Sequence, residues 1–353
     1  MQAANEMIQT VRPGQGILQN SRQCSPFPRR RLASVLSISC LLVMLVLASS
    51  CRSLLVRTDN TIPVLPVPLV EENFDGLTAH LKQFTEMAAL RTSRVTLQFF
   101  DARSLKRLPS GDAILVLQRP DKIRLVIQAP TVSAKIADMV SEANHFKVAI
   151  YRPEEYRRFL SGTNDADYSR MHNKLDKEKQ QSALINARPF HFTDALLIRP
   201  LRLDDARFAY SLEEALLREP DTRKDAKKGA QILHSYYVIS EMELAAQPGS
   251  LARVRRRFWF DRTAQAQFAK QQVFDDRGQI TTEIEYAGYT KLNEERNELW
   301  PAMITVSRPR DGYAARLTFG GGNFEVNPNL SENRPFVLEN TDKLPETDLD
   351  KQP

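Results

Sequence analysis

The chain has 353 residues, 42% of them hydrophobic and 26% charged, with a formal net charge of +6 and three cysteines. Residues 1–50 hold five Arg and one Glu, so they carry +4 and leave only +2 on residues 51–353. That near-balance excludes a general nucleic-acid footprint. Two of the cysteines, Cys24 and Cys40, also lie in the first fifty residues, and Cys51 alone follows, which excludes a disulfide framework beyond that point.

The N-terminus reads as an export signal. A polar segment ends in Arg29-Arg30-Arg31, residues 32–50 are uncharged and apolar, and small residues close the run. Leu47-Ala48-Ser49-Ser50-Cys51 resembles the lipobox of bacterial lipoprotein precursors. That resemblance implies cleavage before Cys51 and an acyl-bearing lipid on its sulfur. The alternative is an uncleaved anchor, since residues 32–50 are just long enough to span a bilayer. Either way, residues beyond 51 are expected outside the cytoplasm, in the cell envelope and facing the periplasm. Arg52 stands where an inner-membrane retention signal would carry Asp, which leans toward the outer membrane.

Residues 51–73 are expected to be the lipidated cysteine and a tether, because Pro63, Pro66 and Pro68 favour extended backbone. A helix is expected from about Asp75 to Arg91, with Leu77, Leu81, Phe84 and Ala88 on one face. Strand patterns follow. Val95, Leu97 and Phe99 alternate with polar residues, as do Ile123, Leu125 and Ile127, with the apolar run Ala113–Leu117 between them. Pro109-Ser110-Gly111 is expected to break the chain before that run, and Pro120-Asp121 after it. Ile136–Val140 and Phe146–Tyr151 read as further strands. Polar insertions are expected near 161–181 and 218–229, with a short helix over Pro189–Leu197 between them. Strands are then expected at Ser235–Leu244, Leu251–Asp261, Gln267–Phe274, Ile280–Tyr289, Ala302–Ser307 and Ala314–Phe319. Asp276-Arg277-Gly278 and Arg310-Asp311-Gly312 suit hairpin turns. Residues 340–353 are acidic and poor in apolar residues, which predicts a disordered tail. Short turns between strands require antiparallel pairing.

Gly111-Asp112, an apolar strand and Arg119-Pro120-Asp121-Lys122-Ile123-Arg124 resemble the LolA/LolB group of lipoprotein-localisation carriers and receptors. Gln128-Ala129-Pro130, Val140-Ser141 and Tyr151-Arg152-Pro153 continue the likeness. Phe258-Trp259-Phe260-Asp261-Arg262, Gln271-Gln272-Val273-Phe274-Asp275 and Tyr286 repeat a related pattern. The resemblance implies a mainly β, α+β fold over residues 74–339: a curved antiparallel sheet forming an incomplete barrel, with helices covering its open side. It also implies binding of lipid or lipoprotein acyl chains in an apolar cavity, in the service of lipoprotein or lipid localisation to the outer membrane. Other envelope lipoprotein-sorting proteins are the implied partners. In that group the Arg of the Arg-Pro pair contacts a helical lid and helps control its opening, and here it is Arg119. An exposed apolar loop residue of the group's receptor would fall near Val132.

Alternation assigns Leu97, Phe99, Ile123, Leu125, Ile127, Phe258 and Phe260 to the inward face, as cavity lining or as ordinary core. The run Arg253–Phe260 divides in the same way: Arg253, Arg255, Arg257 and Trp259 share one face, while Val254, Arg256, Phe258 and Phe260 share the other. No catalysis is expected. His80, His145, His172, His191 and His234 have no metal-ligand spacing, no phosphate loop follows Gly320-Gly321-Gly322, and no nucleophile elbow is present. No cofactor and no nucleic-acid partner is expected. The alternative function is a structural or assembly protein of the envelope that grips a protein partner.

Overall fold

The computed structural model describes residues 63–353 other than 67, 102–106, 131–133, 165, 167, 169–187, 222, 246–250, 292–298, 321–323, 332–333 and 352–353. Cys51, Val132, most of the polar stretch at 165–181 and the first part of the tether lie outside the described residues. In chain order the elements are helix α1 (Phe74–Thr85), β1 (Ala89–Asp101), β2 (Arg107–Gln118), β3 (Lys122–Gln128), β4 (Lys135–Glu142), β5 (His145–Ile150) and β6 (Arg158–Thr163). Helix α2 (Phe190–Leu196) follows, then β7 (Phe208–Pro220), β8 (Gln231–Glu243), β9 (Arg253–Asp261), β10 (Gln267–Phe274) and β11 (Ile280–Lys291). The chain ends with β12 (Leu299–Arg308), β13 (Tyr313–Phe319), β14 (Phe324–Val326) and β15 (Glu346–Asp348).

The strands form one sheet in the order β15-β6-β5-β4-β3-β2-β1-β13-β12-β11-β10-β9-β8-β7, with β14 also paired to β1. Two meanders, β1–β6 and β7–β13, are thus joined where β1 meets β13, through pairs such as Leu97 with Leu317 and Phe99 with Ala315. Pairing is antiparallel throughout except for β15, which runs parallel to β6. The edge strands β15 and β7 do not pair with each other, so the sheet is open.

The inward face is apolar because the strands alternate. β3 shows it most simply: Ile123, Leu125 and Ile127 are buried while Lys122, Arg124, Val126 and Gln128 are half-buried. The inward rows of both meanders form one continuous cluster with Leu77, Leu81 and Phe84 of α1 and Phe192, Ala195 and Leu196 of α2. Helix α1 packs against β10, and α2 packs against both β3 and β12. Those two strands are four positions apart in the sheet, roughly 19 Å if the sheet were flat. A helix only about 10–12 Å wide can touch both only if the sheet arches around it.

Several expectations are corrected. Helix α1 ends at Thr85 rather than near Arg91, because Ala89 onward pairs in β1 with β2. β2 runs through Pro109-Ser110-Gly111 instead of breaking there. Its register with β1 slips between Gln98 and Phe100, and Pro109 falls in that irregularity, where a missing ladder N–H is tolerated. The stretch 218–229 is not simply an insertion: Arg218, Glu219 and Pro220 close β7, paired with Leu233, Ile232 and Gln231. The supposed tether is fastened to the domain from Val64 onward, since Leu233 N–H donates to Val64 O at 3.0 Å and Val70 N–H to Arg262 O at 3.0 Å.

The acidic tail is ordered rather than disordered. Glu346, Thr347 and Asp348 pair with Phe159, Leu160 and Ser161, and Asp350 accepts hydrogen bonds from Thr163 and Tyr168. Apolar content just upstream explains this, as Leu338 and Leu344 pack on Val140, Ala149 and Phe159. The two expected hairpin turns are present, with Gly278 at φ 72° and Gly312 at φ 71°, the left-handed region that glycine adopts without steric cost.

Candidate functional site

Leu97, Phe99, Ile123, Leu125, Ile127, Phe258 and Phe260 are each no more than 3% exposed and lie in the single apolar cluster on the inward face. They come from β1 and β3 of one meander and β9 of the other, and the arch brings them together. At its centre Phe84 of α1 meets Phe268, Tyr286, Tyr289 and Trp300, with ring centroids 5.7, 6.0, 6.4 and 5.5 Å away. Phe258 and Phe260 stand 6.1 and 5.6 Å from Phe268. Burial pushes the Tyr286 and Tyr289 phenols far above their ordinary range, so both stay neutral. The Tyr286 hydroxyl donates to Ala195 O of α2 at 3.0 Å, and the Tyr289 hydroxyl donates to Phe268 O at 2.5 Å.

Arg119 follows β2 directly and reaches beneath both helices. Its Nε donates to Met87 O at 2.7 Å, and its Nη2 donates to Phe84 O at the end of α1 and to Ile198 O beyond α2 at 3.2 Å. A cation suits the carbonyl end of a helix. Burial lowers the Arg119 pKa from its ordinary value, and among the described residues no carboxylate pairs with it. Among the described residues its partners are therefore carbonyls.

Sequence reasoning missed a second cluster on the same face. Arg256 of β9 and Glu241 of β8 form a buried bidentate pair: Nε to Oε1 is 2.9 Å and Nη2 to Oε2 is 2.6 Å. Glu241 is fully buried and also accepts from the Tyr210 hydroxyl at 3.3 Å. Arg256 uses its remaining N–H groups on the backbone beyond α2, donating to Arg199 O at 2.7 Å and Pro200 O at 3.1 Å. The signal was visible, because Arg256 alternates in step with Phe258 and Phe260. A charge on an apolar face is uncommon unless paired, and its partner sits on another strand.

Also missed was His191 on α2. It is buried, its Nδ1 bonded to the Tyr313 hydroxyl, and its Nε2 lies 3.7 Å from Asp311. Burial, with Arg308 and Arg188 nearby, lowers its pKa well below the ordinary histidine value, so the ring is neutral. Among the described residues no group of His, Cys, Asp and Glu could hold a metal ion.

These features define a class: an open, arched antiparallel sheet whose apolar inner face carries two short helices tied down by arginines. No protein-family model matches the chain, and no curated protein matches it. Among solved structures it is similar to a DUF1329 family protein from Desulfovibrio piger, at 12% identity and a TM-score of 0.41, covering 74% of this chain and 94% of that one. It is also similar to a LolA superfamily protein from Nitrosomonas europaea, at 9% identity and a TM-score of 0.39, covering 76% and 99%. A third similar structure is a putative outer membrane lipoprotein-sorting protein domain from Vibrio parahaemolyticus, at 9% identity and a TM-score of 0.36, covering 73% and 94%. At these scores the likeness carries no function across to this chain.

Proposed function

We propose that the protein is a non-enzymatic binder of acyl chains, from lipids or lipoproteins, anchored to the membrane through Cys51 and working in lipoprotein or lipid localisation in the cell envelope. The observation that carries this reading is the Arg119 clasp. A guanidinium whose partners among the described residues are backbone carbonyls joins the ends of two helices on a largely apolar inner face. Such a contact can be released without leaving a carboxylate behind, and its loss removes one polar tie at the end of each helix. The face beneath is aliphatic and aromatic, which suits a saturated chain, as each buried methylene contributes roughly 0.8 kcal/mol. Leu97, Phe99, Ile123, Leu125, Ile127, Phe258 and Phe260 are the proposed contacts with the chain, and Arg119 is the gate.

Native mass spectrometry of the full chain extracted from membranes tests the reading. Lipid adducts beyond any mass on Cys51 are expected, reduced in Leu125→Glu, and a chain that never carries lipid overturns it. Metabolic labelling with a palmitate analogue tests the anchor: labelled wild type and unlabelled Cys51→Ala are expected, and equal labelling rejects Cys51. A second reading, an envelope protein that grips a protein partner, is favoured by one feature. The outer edge of β7 presents Leu212 and Leu216, 40% and 59% exposed. Crosslinking to one stable protein partner in cells, with no lipid bound, would support that reading instead.

A further inference from the structure

Inside the aromatic cluster one polar group lacks a partner. Trp300, at the start of β12, is 2% exposed, and its Nε1–H has no hydrogen-bond acceptor among the described residues. Rings close on it from three elements: Phe84 of α1, Phe319 of β13 and Phe324 of β14, with centroids 5.5, 6.1 and 6.1 Å away. A buried indole N–H is normally paired, and an unpaired one carries its full desolvation penalty. The other polar groups of the cluster follow that rule, since the Tyr286 and Tyr289 hydroxyls both reach backbone carbonyls. Trp259, the only other tryptophan of the chain, is merely half-buried, yet its Nε1–H donates to Gln272 Oε1 at 3.2 Å.

A phenylalanine at 300 would pack among the same rings without that penalty, so packing does not account for the indole. An acceptor that suits it must be neutral and must arrive on a group that the surrounding rings tolerate. The carbonyl of an acyl ester meets both conditions, because methylenes lead up to it and it carries no charge. A plain hydrocarbon offers no acceptor, an ether lacks the carbonyl, and a free carboxylate would bring a charge into an apolar interior. Resting on the acyl-carrier reading, we infer that the cargo is an ester-linked acyl chain and that Trp300 Nε1 donates to its carbonyl oxygen. Ile304 and Val306 continue the buried inward row of β12 beyond Trp300, a hydrocarbon path for the methylenes. Trp300 is thus the residue that tells an acyl ester from an alkyl chain and sets how deep the chain lies.

Three probes titrated calorimetrically into the full chain test this: a dipalmitoyl ester lipopeptide, its dihexadecyl ether counterpart with the same headgroup, and hexadecanoate. The wild type is expected to bind the ester about tenfold more tightly than the ether, the worth of one hydrogen bond to a donor otherwise left unpaired. Trp300→Phe, which keeps an aromatic ring, is expected to abolish that preference. The indole N–H resonances of the wild type give a second readout should Trp300→Phe fail to fold. Trp259→Phe assigns the two signals, and that of Trp300 is expected to move downfield with the ester and not with the ether. Equal affinity of the wild type for ester and ether overturns the assignment of Trp300 and leaves the carrier reading standing. So does a preference that survives Trp300→Phe, an indole signal that responds alike to both lipopeptides, or hexadecanoate binding more tightly than the ester. A chain that binds none of the three probes overturns the carrier reading, and the role of Trp300 with it.

Discussion

The inner face concentrates its polar chemistry in a few side chains, and each has a measurable cost. Glu241 is fully buried against Arg256, so Glu241→Ala leaves a guanidinium without its counter-charge. A loss of about 3–5 kcal/mol is expected, read from the urea midpoint, and the double variant Glu241→Leu with Arg256→Met should recover much of it. A loss under about 1 kcal/mol would show that the pair is not isolated from solvent. His191 makes stability depend on pH. Burial and the nearby Arg308 and Arg188 depress its pKa in the fold, whereas the unfolded chain takes up a proton below about 6.5. Between those values the unfolded state binds more protons. The contribution is therefore full above about pH 6.5 and is lost as pH falls, with a slope of at most about 1.4 kcal/mol per pH unit. Urea midpoints at pH 7.5 and 5 should fall further apart in wild type than in His191→Gln.

At the scale of elements, α1 shows what holds a short helix on this sheet. Asn73 caps it, its Oδ1 accepting from Gly76 N–H at 2.8 Å. Asn73→Ala should cost about 1 kcal/mol. Phe84, on the buried face, sits among four aromatic rings, and Phe84→Ala should cost about 3–5 kcal/mol. Chemical denaturation compares the two, and a cap loss larger than the Phe84 loss would reverse the assignment. Elements with one apolar face were legible in the sequence: Leu77, Leu81 and Phe84 announce the helix, and Ile123, Leu125 and Ile127 announce a strand. β7 was not legible. It lies at the sheet edge, where none of its residues is buried and Leu212, Glu213, Glu214 and Leu216 are all exposed, so no apolar face marks it. Its strand conformation comes from thirteen residues of pairing with β8, a partner that no local pattern records.

At the scale of the whole molecule, the C-terminus closes one edge of the sheet. β15 covers part of β6, and Asp350 bonds Thr163 and Tyr168. Deleting residues 346–353 should lower stability on the order of 1–2 kcal/mol and leave the β6 edge open to pair with another chain. Light scattering on the purified chain checks the second effect: self-association should rise with concentration in the deletion and not in wild type.

The sequence by itself determined the strand and helix faces, the two glycine turns, the antiparallel pairing and the set of apolar residues that turn inward. These follow from periodicity and backbone sterics, which act over a few residues. Only the tertiary structure decided that the first and last strands of the two meanders join at β1 and β13, that the tail is ordered and that Arg256 has a buried partner. It also decided that Arg119 and Arg256 converge on the backbone at 198–200. Those outcomes depend on contacts between residues 15 to more than 200 positions apart. Such contacts form only once the arch has brought the strands together.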